Sequence, residues 1–255
     1  MMAFALMTTS CSLSENANVA LENISYKQED LNAKYFNTIH VEAVADVYYK
    51  QNDKDDNSVR LDFSAITDQE LAQRLKESVK VVYRNDGVEI GLSKKVVGIN
   101  KLSGDERLKV YINSTDLVGI TMEGVGTFHA DIINTDRMKI DNEGVGSILI
   151  KSMMANQLNI DNEGVGSVKI TTVKADQLNI DNEGVGSVKI DAHKGDKVDI
   201  LNEGVGKVTV TNLHCNRLKA QLEGVGSVVV SGTTRHFEEI KEGVGKIKKD
   251  GLKVL

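Results

Sequence analysis

Residues 158–170 read LNIDNEGVGSVKI, and residues 178–190 repeat those thirteen letters without a change. Within the stretch, Leu158, Ile160, Val168 and Ile170 share one parity, while Asn159, Asp161, Ser167 and Lys169 share the other. Alternation with period two belongs to strands and not to helices. The central Glu-Gly-Val-Gly recurs from Glu123, Glu143, Glu163, Glu183, Glu203, Glu223 and Glu242, at intervals of 20 residues with a last interval of 19. A fixed period of this length means stacked units, each touching its neighbours.

Working outward, the other copies keep the pattern. The place of Leu158 is taken by Val118, Met138, Leu178, Val198, Leu218 and Phe237, and that of Val168 by Phe128, Ile148, Val188, Val208, Val228 and Ile247. A third apolar point follows at Ile133, Met153, Val173 and Leu213, and then an Asx residue suited to a turn (Asp136, Asn156, Asp176, Asp196, Asn216). A coil of this size cannot bury its own apolar face. Stacking coils in parallel sheets at about 4.8 Å closes one continuous core, and parallel crossovers are right-handed. The expected fold is all-β, a right-handed parallel β-solenoid with about seven 20-residue coils in the C-terminal half.

The turn glycines Gly124, Gly126, Gly144, Gly146, Gly164, Gly166, Gly184, Gly186, Gly204, Gly206, Gly224, Gly226, Gly243 and Gly245 would mark one corner of every coil. Glycine suits such a corner by taking positive φ at little cost and by letting neighbouring backbones approach closely. Asn142, Asn162, Asn182 and Asn202 fall on the inward parity, where flanking coils carry Met122 and Leu222. Buried amides need partners, so these four are expected to bond one another as a structural ladder.

Composition agrees with an aliphatic sheet core. The 255 residues are 40% hydrophobic but only 4% aromatic, with no Trp and no Pro, so Ile, Val and Leu must fill the interior. A net charge of −6 argues against a nucleic-acid partner. Residues 39–49, IHVEAVADVYY, can be laid on IDNEGVGSVKI, which gives Ile39, Val47 and Tyr49 core positions. Residues 67–78 read as a short helix, with Thr67 and Glu70 at capping-box spacing and Leu71 and Leu75 on one face. Such a helix could cap the raw sheet edge at the solenoid's open end, and the lysines of KIKKDGLKVL (246–255) could blunt the other.

Three regions follow: residues 1–23, 24–118 as an irregular first part of the solenoid with the capping helix, and 119–255 as regular repeats. In the first, an apolar start, MMAFALMTTS, precedes Cys11. This reads as the end of an export signal with Cys11 as a lipid acceptor, followed by a polar tether. It implies export to the cell envelope with a lipid anchor in a membrane.

Phe36, Ile39, Val41, Asp46 and Val47 form F-x-x-I-x-V-x-x-x-x-D-V, and V-x-V-x-Y-x-x-D-G-V-x-I follows at 79–90 before the glycine turns begin. Over roughly residues 34–250 this order resembles the family described as putative auto-transporter adhesin, head GIN domain, of Gram-negative bacteria. The resemblance implies a right-handed β-helix, secretion, and an adhesive role without conserved enzymatic residues. The family favours Ser-Gly-Ser-Gly at the turn, where this chain has Glu-Gly-Val-Gly.

That difference creates the candidate surface chemistry. Stacked glutamates one coil apart would repel by roughly 0.9 kcal/mol per pair in water, about 5 kcal/mol over six pairs. Turn N–H groups, Lys169 and Lys189, or bound cations could offset this. Asp141, Glu143, Asp161, Glu163, Asp181 and Glu183 share the outward parity, an oxygen-rich patch of the kind Ca²⁺ takes. The valines of the motif are expected to roll down onto the stack. If they point outward instead, they form an apolar stripe of the kind that marks a partner surface. His193, His214, Cys215 and His236 offer ligand types for a metal, but at no recognised spacing, and Cys215 aligns with small residues. No nucleophile elbow, zinc signature or phosphate loop appears, and a uniform ladder lacks the unequal pair of groups that acid–base catalysis needs. The expected function is a non-catalytic envelope adhesin or interaction module whose ligand is a protein or a glycan. A self-assembling envelope protein is the alternative, and a polysaccharide-acting enzyme a more distant one. The oligomeric state stays open.

Overall fold

The computed structural model describes residues 35–53, 57–102 and 104–255, so Cys11 and the segment before residue 24 lie outside the described residues. The chain runs β1 (Thr38–Val41), β2 (Ala45–Gln51), β3 (Ser58–Asp62), α1 (Gln69–Lys76), β4 (Val79–Arg84), β5 (Gly87–Leu92) and β6 (Leu108–Ser114). The regular part follows as β7 (Gly119–Met122), β8 (Val125–Asn134), β9 (Arg137–Asn142), β10 (Val145–Asn162), β11 (Val165–Asn182), β12 (Val185–Lys194), β13 (Lys197–Asn202), β14 (Val205–Leu222), β15 (Val225–Lys241), β16 (Val244–Lys248) and β17 (Leu252–Val254). It is a right-handed parallel β-solenoid of about seven turns.

Register between coils follows the repeat letter for letter. Leu158 pairs with Leu178, Ile160 with Ile180 and Val168 with Val188, all parallel. Each coil has a first arm up to the Glu-Gly turn, a second arm after it, and a short third side. Leu158, Ile160, Val168, Ile170 and Val173 all turn inward and are at most 1% exposed, and one core cluster runs from Phe36 to Val230. Full burial of each such side chain contributes roughly 1.5–3 kcal/mol. The coil beginning at Leu117 departs from the alignment: Leu117 is buried and Val118 only partly so.

The final interval of 19 residues is absorbed at one place. Val210 pairs with Val230, but Leu213 pairs with Gly232, so the register slips by one on the third side. Asn212 sits there at φ 48°, a left-handed conformation that Asn tolerates better than most residues.

The N-terminal part stacks out of sequence order. β1 and β2 form a coil in parallel with β7 and β8 on one side, where Ile39 meets Ile120 and Val47 meets Phe128. On the other side β5 and β6 pair with that same coil, also in parallel. β4 and β3 then close the end as antiparallel partners of β5 and β6. α1 links these two outermost strands and buries Leu71 and Leu75. Its cap is Asp68, whose carboxylate accepts the Leu71 N–H at 3.0 Å, and not Thr67. The Thr67 hydroxyl donates instead to Glu106, 39 residues away.

At the C-terminal end, β16 and β17 cover parts of β15. The first-arm part of β15 has no strand on its outer side among the described residues. That edge carries Arg235, His236, Glu238, Glu239 and Lys241, charges of the kind that discourage edge pairing.

Candidate functional site

The corner between the first and second arms is built by the glycines. A Cβ on Gly166 would lie 1.8 Å from the Gly146 carbonyl oxygen, and one on Gly164 2.2 Å from that of Gly144. The same closeness recurs at Gly124, Gly126, Gly144, Gly146, Gly184, Gly186, Gly204, Gly206, Gly224, Gly226, Gly243 and Gly245. Positive φ accounts for little of this, since only Gly126 (148°) and Gly245 (156°) of the turn glycines adopt it. Close approach of one backbone to the next is the reason for the motif.

Inside the corner lie the four asparagines, each at most 1% exposed. The Asn142 amide donates to Asn162 at 2.6 Å, Asn162 to Asn182 at 2.6 Å and Asn182 to Asn202 at 2.7 Å. Asn202 donates on to the Gly206 carbonyl at 3.5 Å. The ladder therefore has a direction, and its first oxygen, Asn142 Oδ1, has no partner.

Outside the corner the valines stand in solvent. Val145, Val165, Val185, Val205 and Val225 are 53–55% exposed, and Val244 73%. The expectation that the turn folds them onto the stack is overturned. The valine N–H donates to the preceding coil's glycine carbonyl, as in Val165 to Gly144 at 2.9 Å. The backbone so held turns the side chain away from the stack.

The glutamates form the neighbouring exposed column. Their charge is not relieved by turn N–H groups, because those donate backward along the stack: Glu143 and Gly144 both donate to the Met122 carbonyl. Lys169 and Lys189 do not relieve it either, since both lie on the second arm, where Lys189 pairs with Asp191 at 2.7 Å. Among the described residues, the basic side chains that reach the acidic columns are His40, whose Nε2 lies 2.8 Å from Glu123, and Lys139, 2.7 Å from Asp141 and 3.4 Å from Asp161.

The six carboxylates proposed from parity are thus divided. Asp141 and Asp161 share Lys139, and Glu143 and Glu163 are exposed. Asp181 and Glu183 gather instead with Glu203, their carboxylate oxygens within 4.8 Å of one another. Sequence parity missed Glu203, although its place one period after Glu183 was visible. A second group of this kind is His40, Glu42 and Glu123. His193, His214, Cys215 and His236 do not converge. His193 is buried and bonded to the Ala175 carbonyl at 3.2 Å, with burial holding its pKa down at about 4, while Cys215 packs against Thr234.

Asp181 is the strained member. Burial, followed by the charges of Glu183, Glu203, Asp161 and Glu163, pushes its pKa up to about 6. Its Oδ1 is buried without a partner. The folded state therefore binds this proton more tightly than the unfolded chain. Stability falls as pH rises from about 3.8 to about 6, and ionised Asp181 opposes folding at pH 7. Asp181→Asn should raise stability at pH 7.5 by about 1 kcal/mol, allowing for solvent screening, and change little at pH 3.5. Urea titrations at the two pH values check this. A variant less stable than wild type at pH 7.5 would show that the carboxylate is held by a favourable partner.

Comparison with known proteins bears on the whole surface. No curated protein sequence matches the chain. A protein from Bacteroides fragilis described as a putative adhesin has a crystal structure that aligns at TM-score 0.72 and 27% identity, over 84% of this chain and 92% of that one. A putative adhesin from Parabacteroides distasonis shares the fold at TM-score 0.59 and 16% identity, over 86% of this chain and 91% of that one. A protein of the same organism described as a putative lipid binding protein does so at TM-score 0.51 and 18% identity, over 84% and 93%. Residues 35–234, from just before the first coil to the third side of the last full one, match a single family, and the chain belongs to it: the family described as putative auto-transporter adhesin, head GIN domain.

Proposed function

We propose that the protein is a non-catalytic, adhesin-like module exported to the cell envelope, which presents one rigid, repetitive corner to a protein or glycan surface. The observation that carries this is the exposed valine column beside the glutamate column, repeated at every coil in unbroken register. Each valine is a small contact. Many on one rod act together, and the second contact costs far less than the first. The family's description as an adhesin domain supports the non-catalytic reading, although the acidic columns are not uniform, since Asp141 and Asp161 share Lys139 and the pKa of Asp181 is raised to about 6.

Beads carrying the full-length protein should adhere to mucin- or polysaccharide-coated surfaces several-fold better than albumin-coated beads. A Val165→Ser, Val185→Ser, Val205→Ser triple variant with an unchanged unfolding midpoint should lose most of that difference. Retention equal to albumin on all such surfaces would remove the adhesin, and reducing ends released from a polysaccharide would remove the non-catalytic part. Lipidation at Cys11 belongs to the same proposal, and an unmodified mature N-terminus in mass spectra of the native protein removes it. A hard cation at Asp181, Glu183 and Glu203 also fits, since it would relieve the crowding there. Unfolding midpoints equal with and without millimolar calcium would argue against it.

Self-assembly through the ends is the weaker reading. α1 and the antiparallel strands close one end, and charged side chains line the uncovered edge at the other.

A further inference from the structure

Most of the aromatic side chains among the described residues lie in the coils nearest the N-terminal end. On the outward face of the second arm, Tyr111, Tyr48 and His129 occupy one column across β6, β2 and β8. The Tyr111 and Tyr48 rings lie 5.3 Å apart at 20°, and Tyr48 and His129 4.9 Å apart at 6°. The Arg60 guanidinium sits 4.2 Å over Tyr111 and closes the column at its far end. In the other direction the rings stop, and the next two places are Leu149 and Lys169.

Where the rings stop, a groove of about 380 Å³ opens. Tyr48, His129, Leu149 and Lys169 line one side, and Asp131, Lys151 and Thr171 belong to the adjoining column. The volume falls within the range of small-ligand sites. Its charge runs against that of the molecule: two lysines face one aspartate here, in a chain of net charge −6. Lys151 is tied to Asp131 at 2.7 Å. Lys169 has no carboxylate partner among the described residues. Burial holds the His129 pKa below its ordinary value. Burial thus favours the neutral ring, which offers one donor and one acceptor.

These groups match one ligand chemistry. Leu149 and the edges of the Tyr48 and His129 rings make an apolar floor on which a sugar ring can lie. Thr171, Tyr48 and neutral His129 can exchange hydrogen bonds with hydroxyls, and an unpaired ammonium wants a carboxylate. A glycan carrying more than one charge per ring, such as a heavily sulfated one, fits less well than one carboxylate per ring, because the acidic corner lies on the same rod and repels it. We propose that this groove binds a short stretch of acidic polysaccharide, with a sugar ring against Tyr48, His129 and Leu149 and its carboxylate at Lys169. The site is separate from the valine corner and does not depend on it.

The probes are a β-1,4-linked mannuronate hexamer and β-1,4-mannohexaose, which differ in having a carboxylate or a hydroxymethyl group on each ring. Calorimetric titration of the full-length protein should give saturable binding of the mannuronate hexamer, at least tenfold tighter than of mannohexaose. Lys169→Glu should weaken it at least tenfold with the unfolding midpoint unchanged. His129→Leu should weaken both sugars. Equal affinity for the two hexamers overturns the carboxylate assignment. Binding insensitive to Lys169→Glu, or no saturation with either sugar, overturns the site. If the hexamer binds but beads carrying the protein are not retained on surfaces, the groove stands and the adhesin reading falls. Bead retention unaffected by both Lys169→Glu and the free hexamer leaves the adhesin reading and removes the groove from it.

Discussion

Gly166→Ala should destabilise the protein by more than about 4 kcal/mol, near the upper end for a single methyl group. The added carbon would lie 1.8 Å from the Gly146 carbonyl oxygen and 2.9 Å from its carbon, both backbone atoms with no rotamer to adopt. Relief requires the coils to part at the corner. That would break the Val165 to Gly144 hydrogen bond and strain the pairing of β10 with β11, and Gly166 in turn opposes Gly186 of the following coil. Gly104→Ala is the control. Among the described residues, no atom beyond its chain neighbours lies within 4 Å of its added carbon, and its φ of 57° should cost only about 1 kcal/mol. Urea unfolding of the two variants separates the effects. If Gly166→Ala unfolds within about 1 kcal/mol of Gly104→Ala, neighbouring backbones are not in the contact described.

The asparagine ladder makes a second large prediction, in which position matters more than chemistry. Asn142→Leu removes a side chain whose oxygen already lacks a partner, and it frees the oxygen of Asn162 in exchange. The number of orphaned carbonyl oxygens stays at one. The change should therefore be close to neutral, within about 1 kcal/mol. Asn162→Leu cuts the ladder in its middle. It strands the Asn142 amide nitrogen and the Asn182 oxygen, both buried, while the Asn142 oxygen remains orphaned. At about 1–3 kcal/mol for each newly unpaired group, the loss should reach about 2–6 kcal/mol. Replacing all four asparagines by Leu should recover most of that loss, since Met122 and Leu222 already fill this position in the flanking coils. Equal losses for Asn142→Leu and Asn162→Leu would mean that the side chains are satisfied individually and not in series.

Much of this fold was legible because the sequence repeats itself. Identical letters such as Leu158 and Leu178 pair in space, and even the degenerate echo at Ile39, Val47 and Tyr49 falls where the alignment put it. Legibility ended where parity did. At the valines, strand alternation gives way to a turn, and no local pattern says whether the side chain rolls inward. The answer comes from a hydrogen bond to the coil before. The helix cap was misplaced by one residue for a similar reason, since Thr67 was drawn off by a glutamate distant in sequence. The aromatic groove was hidden because Tyr111, Tyr48 and His129 come from separate segments, and only the out-of-order stacking of β6, β2 and β8 joins them.

That stacking has a consequence for how the molecule assembles. From residue 119 on, each ring of chain closes over 20 residues, or 19 in the last, as between Asn142 and Asn162. At the foot, the Thr127 N–H must find Asp46 across 81 residues. The entropy of closing the longer loop is greater by about 1 kcal/mol for each independent closure. A chain threaded N-terminus first thus delivers its foundation course early but cannot seat it until the courses on both sides have emerged. The founding coil of β1 and β2 waits, uncovered on either side, for strands that arrive later.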